Sequence, residues 1–264
     1  MIRTEQLIHW SGNVSTTDVR ELIVEEPLAI RIEGKPYSVV MRTPGDEMAH
    51  AAGFCLTEGI LDTIDDIGSM AQCDGGEGQV VTVTLKPERR RIVADVLERK
   101  GFISQTSCGI CGKELVEELS ARIDPFAMNG GLSVDVVMAC IDDIGKHQPL
   151  RRTTHSSHAA MIADRGGNIL AVAEDVGRHN ALDKAIGKIF LENRLKDAAL
   201  LVLSSRTSYE LVQKAGRARI PVVVSVSRPT SLAVDLARRL NMTLACLAPG
   251  YGLLIFCGEE RIER

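Results

Sequence analysis

The chain has 264 residues, with 31 Lys and Arg against 35 Asp and Glu, and the resulting formal charge of -4 argues against electrostatic binding of nucleic acid by the whole surface. Apolar residues make up 45% and aromatics 3%, enough for a sizeable core that must be largely aliphatic. Seven cysteines at scattered spacing are not a disulfide framework, and Met1–Trp10 lacks signal-peptide character. No apolar run approaches the roughly 18 residues that span a bilayer, so the expectation is a cytoplasmic protein with reduced thiols and no membrane partner.

Taken along the chain, Leu28–Glu33 and Tyr37–Arg42 flank Gly34-Lys35-Pro36 as a predicted hairpin. Thr43-Pro44-Gly45-Asp46-Glu47 opens a helix that runs to Glu58 and stops at Gly59. Gln79–Leu85 alternates as a strand, and Arg89–Lys100 reads as a helix ending at Gly101. Lys113–Arg122 reads as a helix with Leu115, Val116 and Leu119 on one face. We divide the chain here, into an α+β part over 1–112 and an α/β part over 113–264.

In the second part His158–Asp164 and Asn168–Glu174 form a hairpin around Arg165-Gly166-Gly167. Gly177–Asn193, Ser208–Arg219 and Ser231–Leu240 read as helices. Ala198–Ser204 and Pro221–Val226 are continuous apolar strands, as expected where both sheet faces are covered. Thr243–Leu247 and Tyr251–Cys257 close the chain as strands. The order β-β-α-β-α-β-α-β-β predicts a three-layer α/β sandwich.

Two constellations carry chemistry. The first is Ser107-Cys108-Gly109-Ile110-Cys111-Gly112-Lys113, one Cys-x-x-Cys in a glycine-rich loop before a helix. Glycines leave room for a partner, and a helix start and Lys113 both favour a thiolate. With no second Cys-x-x-Cys in the chain, persulfide or redox chemistry is favoured over half of a zinc site. The second is a set of strand ends that each precede a helix: Glu174-Asp175-Val176-Gly177-Arg178-His179-Asn180, Ser204-Ser205-Arg206-Thr207-Ser208 and Ser227-Arg228-Pro229-Thr230-Ser231. Ligands of open α/β sheets bind outside the carboxyl ends of the strands, and helix N-termini offer N–H groups to anions. Ser and Thr there also serve as ordinary N-caps. The repeated Ser-Arg pairs Ser205-Arg206 and Ser227-Arg228, with Arg178 at a third end, predict a phosphate-binding site. Asp175 is a candidate acceptor for a guanine or ribose donor, and neutral His179 a candidate ligand contact.

Other polar residues read as structural. His155 and His158 make a poor chelating pair, because on one strand they would face opposite ways. His9, His50 and His147 read as structural or solvated, Asp65-Asp66 and Asp142-Asp143 as turns or caps, and Cys55, Cys140 and Cys246 as small hydrophobes. The β-β-α-β-α order invites comparison with zinc deaminases, which use His-x-Glu and Pro-Cys-x-x-Cys at successive helix starts. Here those places read His179-Asn180-Ala181 and Ser205-Arg206-Thr207-Ser208, so the catalytic Glu and both zinc thiolates are missing.

Ser-Cys-Gly-Ile-Cys-Gly-Lys at 107–113, Glu-Asp-Val-Gly-Arg-His-Asn-Ala-Leu-Asp-Lys at 174–184, and the Ser-Ser-Arg and Ser-Arg-Pro-Thr ends together resemble the FdhD family, over most of the chain from about Pro27 to Ile262. These are formate dehydrogenase accessory sulfurtransferases. The resemblance implies a cytidine-deaminase-like sandwich with a smaller N-terminal α+β domain, and a homodimer. It implies a sulfur carrier that takes persulfide sulfur from a cysteine desulfurase. The sulfur passes to the molybdenum, or tungsten, of a bis(molybdopterin guanine dinucleotide) cofactor destined for formate dehydrogenase. That cofactor is a bound substrate, GDP-like nucleotides would share its site, and no intrinsic metal is needed. By the same resemblance Cys108 carries the persulfide, Cys111 is auxiliary, and the cofactor-contacting segment falls on Leu253, Leu254, Ile255, Phe256, Cys257 and Gly258, where this chain departs from the family's aromatic-polar pattern. A thiol-disulfide oxidoreductase, a non-catalytic cofactor-binding chaperone and a structural zinc protein stand as alternatives.

Overall fold

The computed structural model describes residues 1–74, 79–94, 97, 123–128 and 130–263. The Cys-x-x-Cys loop, the 112/113 division, the helix expected over 113–122 and most of the tail of the helix expected over 89–100 lie outside them.

The chain opens with a long antiparallel hairpin, β1 (Ile2–Ser11) and β2 (Val14–Ile23). It was not expected from the sequence. Ile8, Trp10, Val14 and Val19 are all exposed, so no alternation of buried and solvated positions marks it as a half-buried strand pair. The expected hairpin follows as β3 (Glu26–Ile32) and β4 (Lys35–Arg42), which join β5 (Ile67–Asp74) and β6 (Gln79–Leu85) in a sheet of order β4-β3-β6-β5. Helix α1 (Glu47–Thr57) crosses between them, and α2 (Pro87–Ile92) starts on a proline that needs no N–H partner at that position.

The two-residue strand β7 (Leu132–Ser133) leads into α3 (Val134–Ile144), capped by Ser133 Oγ on the Asp135 N–H, and then α4 (Pro149–Thr154). Asp142 and Asp143 therefore sit in the last turn of a helix, where Asp143 pairs with Lys146 and His147, and not in a turn. The second expected hairpin is β8 (His158–Ala163) and β9 (Ile169–Asp175), followed by α5 (Arg178–Leu191), β10 (Leu200–Leu203), α6 (Tyr209–Arg217), β11 (Val222–Ser225), α7 (Ser231–Arg239), β12 (Thr243–Leu247), β13 (Leu253–Cys257) and β14 (Ile262–Glu263).

These strands form a six-stranded sheet of order β13-β12-β11-β10-β8-β9. The pairs β10–β11 and β11–β12 are parallel, the others antiparallel. Consequently β9, β10, β11 and β12 all run the same way and their carboxyl ends share one edge. Alternate residues feed two cores: Leu201, Leu203 and Val223 face α5, α6 and α7, while Leu200, Val202 and Val224 face α3. Helices thus cover both sheet faces. The first core continues without a break into the N-terminal sheet through Leu28, Ile30, Val81 and Val83.

The join is a close crossing of α1 on α5 at Gly53 and Gly187. A Cβ on Gly53 would stand 1.9 Å from the Asp183 carbonyl oxygen, and one on Gly187 would stand 1.7 Å from that of Ala49. Both contacts are backbone, so relief requires moving a helix. Gly187→Ala is expected to cost about 3 kcal/mol, at the upper end of overpacking penalties. Urea unfolding checks this, with an unchanged midpoint as the contrary result.

Buried polar contacts fasten the same join. Asp175 is fully buried, and its carboxylate accepts from the Thr43 N–H at 3.0 Å, the Gly177 N–H at 2.8 Å, Asn180 Nδ2 at 3.0 Å and Lys184 Nζ at 2.7 Å. Lys184 also donates to the Thr43 carbonyl at 2.7 Å, and Asn180 to that of Met41 at 2.7 Å. His50 is wholly buried nearby, and burial, reinforced by Lys184, Lys214 and Arg42, pushes its pKa well below the usual histidine value.

Candidate functional site

Three chain crossings bring the predicted strand ends together. The Val226 N–H donates to the Leu203 carbonyl at 2.9 Å and the Thr230 N–H to that of Thr207 at 3.0 Å, so the loops after β10 and β11 lie side by side. The α5 start reaches the loop after β10 through His179, whose Nε2 lies 2.8 Å from Glu210 Oε2 and 3.5 Å from Ser208 Oγ. Arg178, His179, Ser205, Arg206, Ser227 and Arg228 therefore share one edge of the sheet.

Within it the serines and arginines divide the work. Ser205 is buried and donates to the Arg206 carbonyl at 2.9 Å, and buried Ser225 donates to the Ser227 carbonyl at 2.6 Å. These bonds shape the two loops so that Arg206, Ser227 and Arg228 are exposed. Thr230 takes the ordinary N-cap role, accepting from the Ala233 N–H at 3.3 Å. Ser208 occupies the N-cap position of α6 but makes no cap bond; its hydroxyl faces His179 instead.

The edge is short of negative charge. Burial holds Arg178 below the usual arginine pKa, and the neighbouring Arg206 adds repulsion that Glu210 only partly offsets. Among the described residues Arg178 Nε, His158 Nδ1 and Thr207 Oγ1 are buried without a hydrogen-bond partner. His158 is pulled below the ordinary histidine pKa by burial first, then by Arg178, Arg151 and His179. Glu210 is held below the usual carboxylate value, chiefly by its bond to His179. Guanidinium and imidazole groups at one sheet edge, with Arg178 Nε and His158 Nδ1 left without partners, are what a phosphate-bearing ligand would satisfy.

Some expectations change. Asp175 offers nothing to a ligand, because both carboxylate oxygens are taken by internal donors and the residue is fully buried; it organises the loop that presents Arg178 and His179. His155 and His158 do not share a strand: His155 ends α4 in the left-handed region at φ 56°, and His158 opens β8 at the site edge. His158, Glu210 and Thr207 are site residues that the sequence reading did not assign. The available signal for His158 was its position opening a strand antiparallel to β10, which places it beside the carboxyl end of that strand.

The segment 253–258 runs down the outer edge of the sheet. Leu253 pairs with Leu247 beside the strand-end edge, whereas Cys257 pairs with Leu244 at the far end. Leu254 and Ile255 are exposed, Phe256 is half-buried, and Cys257 is buried with its Sγ 3.5 Å from the Met242 carbonyl. Gly258, at φ 71°, packs on the backbone of Met242 and Thr243. The structure thus brings the start of this segment to the site and carries its end away. Cys108 and Cys111 lie outside the described residues. Cys55, Cys140 and Cys246 are buried as expected, and Cys246, next to Arg228 in the field it feels, has its pKa raised by burial. No described helix is long and apolar enough to cross a membrane.

A helix-flanked α/β sheet with cationic groups gathered at the carboxyl ends of its strands defines the class of fold, and that edge is where ligands of such sheets bind. The family model for FdhD/NarQ matches residues 23–263, and the chain belongs to that family. It is 38% identical over 253 residues to the sulfur carrier protein FdhD of Anaeromyxobacter dehalogenans strain 2CP-C, covering 91% of this chain and 88% of the relative. It is 37% identical to the sulfur carrier protein FdhD of Mycobacterium tuberculosis strain H37Rv, covering 96% of each. A crystal structure of a protein from Desulfotalea psychrophila, described as a formate dehydrogenase accessory protein, superposes with a TM-score of 0.79 at 24% identity over 99% of both chains. That likeness carries the fold.

Proposed function

We propose that the protein is a sulfur carrier for the maturation of formate dehydrogenase. Cys108 is the carrying residue and the strand-end edge is where the acceptor's phosphates bind. Membership of a family whose relatives are named sulfur carrier proteins supports the first half of this reading. The observation that carries the second half is the gathering of Arg178, Arg206 and Arg228 at one sheet edge with His158, whose Nδ1 has no hydrogen-bond partner among the described residues.

In the proposed reaction the Cys108 thiolate attacks the outer sulfur of a persulfide on a cysteine desulfurase. A new persulfide forms on Cys108 and the donor leaves as a thiolate. The outer sulfur is then handed to the metal of a bis(molybdopterin guanine dinucleotide) cofactor, held as substrate. The S–S bond breaks, Cys108 leaves as the thiolate, and the two electrons that take the sulfur to sulfide come from the cofactor metal in its reduced state. Two nucleotides carry several phosphates, which suits three guanidinium groups better than a single phosphate would. GDP stands in for one end of this ligand. The β-β-α-β-α-β order from His158 to Ser225, with helices on both faces, supports a deaminase-like layering for the same edge. A cytoplasmic homodimer is part of the proposal.

Arg206→Ala and Arg228→Ala are each expected to weaken GDP binding by about 1–3 kcal/mol, the range for lost charge-assisted bonds. Unchanged affinity in both variants would remove the strand-end site. Binding should also take up protons. His158 has its folded pKa depressed, so the native state favours neutral imidazole, and its contribution to stability is present above about 6.5, the unfolded value, and lost as pH falls through the folded value. A bound phosphate reverses that field and raises the folded pKa. GDP affinity should therefore rise as pH falls below about 6.5 and lose this dependence in His158→Asn. Calorimetry in buffers of different ionisation enthalpy reads the proton uptake directly.

A further inference from the structure

We propose that the opposite end of the six-stranded sheet carries a second anion site, a cavity built around Arg261 that takes a small organic dianion. The cavity has a volume of about 430 Å³ and lies between the starts of β10 and β11, the β8–β9 turn and the segment that leads into β14. That volume is within the range of small-molecule sites. Residues 198–199 and 221–222 line it, on the side of β10 and β11 remote from Arg206 and Arg228. It is therefore separate from the edge described above, and the inference does not rest on the sulfur-carrier reading.

The walls carry Arg165, Lys196, Arg219 and Arg261, and none of the residues lining the cavity is acidic. Arg261 is the decisive group. It is 2% exposed, its Nη2 donates to the Ala127 carbonyl at 3.2 Å, and its Nη1 is buried with no hydrogen-bond acceptor among the described residues. Its ion pair with Glu260 is long, 3.9 Å, to a carboxylate that is itself half exposed. Burial accordingly pulls the guanidinium below the usual arginine pKa. A buried charge whose donor is left unmet is costly unless a partner arrives.

A second guanidinium is held in place independently. Arg219 lies over the Phe126 ring, 4.3 Å from its centroid, and its Nη1 donates to the Asp124 carbonyl at 2.6 Å. Arg219 itself sits in the left-handed region at φ 57°, a conformation that a non-glycine residue holds only at a cost. The Phe126 and Asp124 contacts hold this exposed guanidinium among the residues that line the cavity with Arg261. Ala199 and Val222 supply an apolar floor. Two positioned guanidinium groups over apolar surface suit a ligand with paired negative charges on a short carbon body, either a phosphate ester or a dicarboxylate.

The test is isothermal titration of the full chain, with GDP present in saturating excess to occupy the strand-end edge, using pyrophosphate and, separately, succinate. We expect saturable binding of at least one probe, and the probe that binds tells phosphate from carboxylate ligands. Arg261→Gln and Lys196→Glu should each weaken it about tenfold or more, and Arg206→Ala should leave it unchanged. Because Arg261→Gln removes a buried charge, Lys196→Glu, at an exposed position, decides the matter if the first variant does not fold. Absence of saturable binding of both probes up to about 10 mM, or binding that Lys196→Glu leaves intact or Arg206→Ala abolishes, overturns the proposal. GDP affinity that falls with Arg206→Ala but not with Lys196→Glu would keep the strand-end reading standing whichever way this test goes.

Discussion

Cys108→Ala is expected to reduce formate dehydrogenase maturation to background, a loss of about 10³-fold or more, since a relay without its nucleophile has no slower version of the same step to fall back on. Cys111→Ala should retain most of the activity. The asymmetry separates the carrier from a thiol-disulfide oxidoreductase, in which either cysteine is indispensable. It also separates it from a cofactor-binding chaperone, in which Cys108→Ala would still mature the enzyme. Formate dehydrogenase activity in cells lacking the wild-type gene and complemented with each variant reads both comparisons. GDP affinity should be the same in Cys108→Ala as in the wild type, because the phosphate edge is built from other residues.

Lys214→Met is expected to cost about 3–5 kcal/mol of stability, the range for breaking one partner out of a buried ion pair. Lys214 Nζ lies 2.9 and 2.8 Å from the two carboxylate oxygens of Asp183 and 2.9 Å from Thr57 Oγ1, and it stands over the Phe54 ring at 5.6 Å. Asp183 is 2% exposed and also accepts from Thr57 at 2.8 Å. Removing the ammonium leaves a buried carboxylate with one hydroxyl for company. The double variant Asp183→Leu with Lys214→Met should recover much of the loss, since it removes both charges and keeps the volume filled. Denaturant unfolding of the three variants completes a cycle in which the two single losses do not add. Additive losses would mean that the pair is not coupled as drawn.

This pair and the Asp175–Lys184–Thr43 contacts tie α1, α5 and α6 together beneath the site edge, and they also mark where sequence reading stops. Thr43 and Asp175 are 132 residues apart, and nothing local in Thr43-Pro44-Gly45 announces a partner for a buried carboxylate. Asp175 and Arg178 looked equivalent in the sequence, each polar and each at a strand end. Packing of β4 and α1 against α5 decides that one turns inward and the other outward. The strand ends were legible because continuous apolar runs such as Leu200–Leu203 and Val222–Val224 stop abruptly at serine and arginine, which fixes both the strand and the edge it points to.

His158 and Glu210 were harder. His158 was weighed only against His155, three residues away, whereas its neighbours in space come from α5 and the α4 region. Glu210 lies one residue into α6, where an acidic side chain reads as ordinary first-turn chemistry. The β1–β2 hairpin escaped for a different reason: with both faces exposed, its apolar residues follow no burial period. Helix α3, with Val137, Met138, Ile141 and Ile144 buried, was not predicted, and Asp142-Asp143, expected as turns or caps, belongs to its last turn.

The central claim is that sulfur travels on Cys108. The most direct measurement is intact-protein mass spectrometry after incubation with a cysteine desulfurase and cysteine, for the wild type and Cys108→Ala. The account predicts a gain of about 32 Da, one sulfur atom on a thiol, that is present in the wild type and absent in the variant. No gain in the wild type, or a gain that survives in Cys108→Ala, would contradict it.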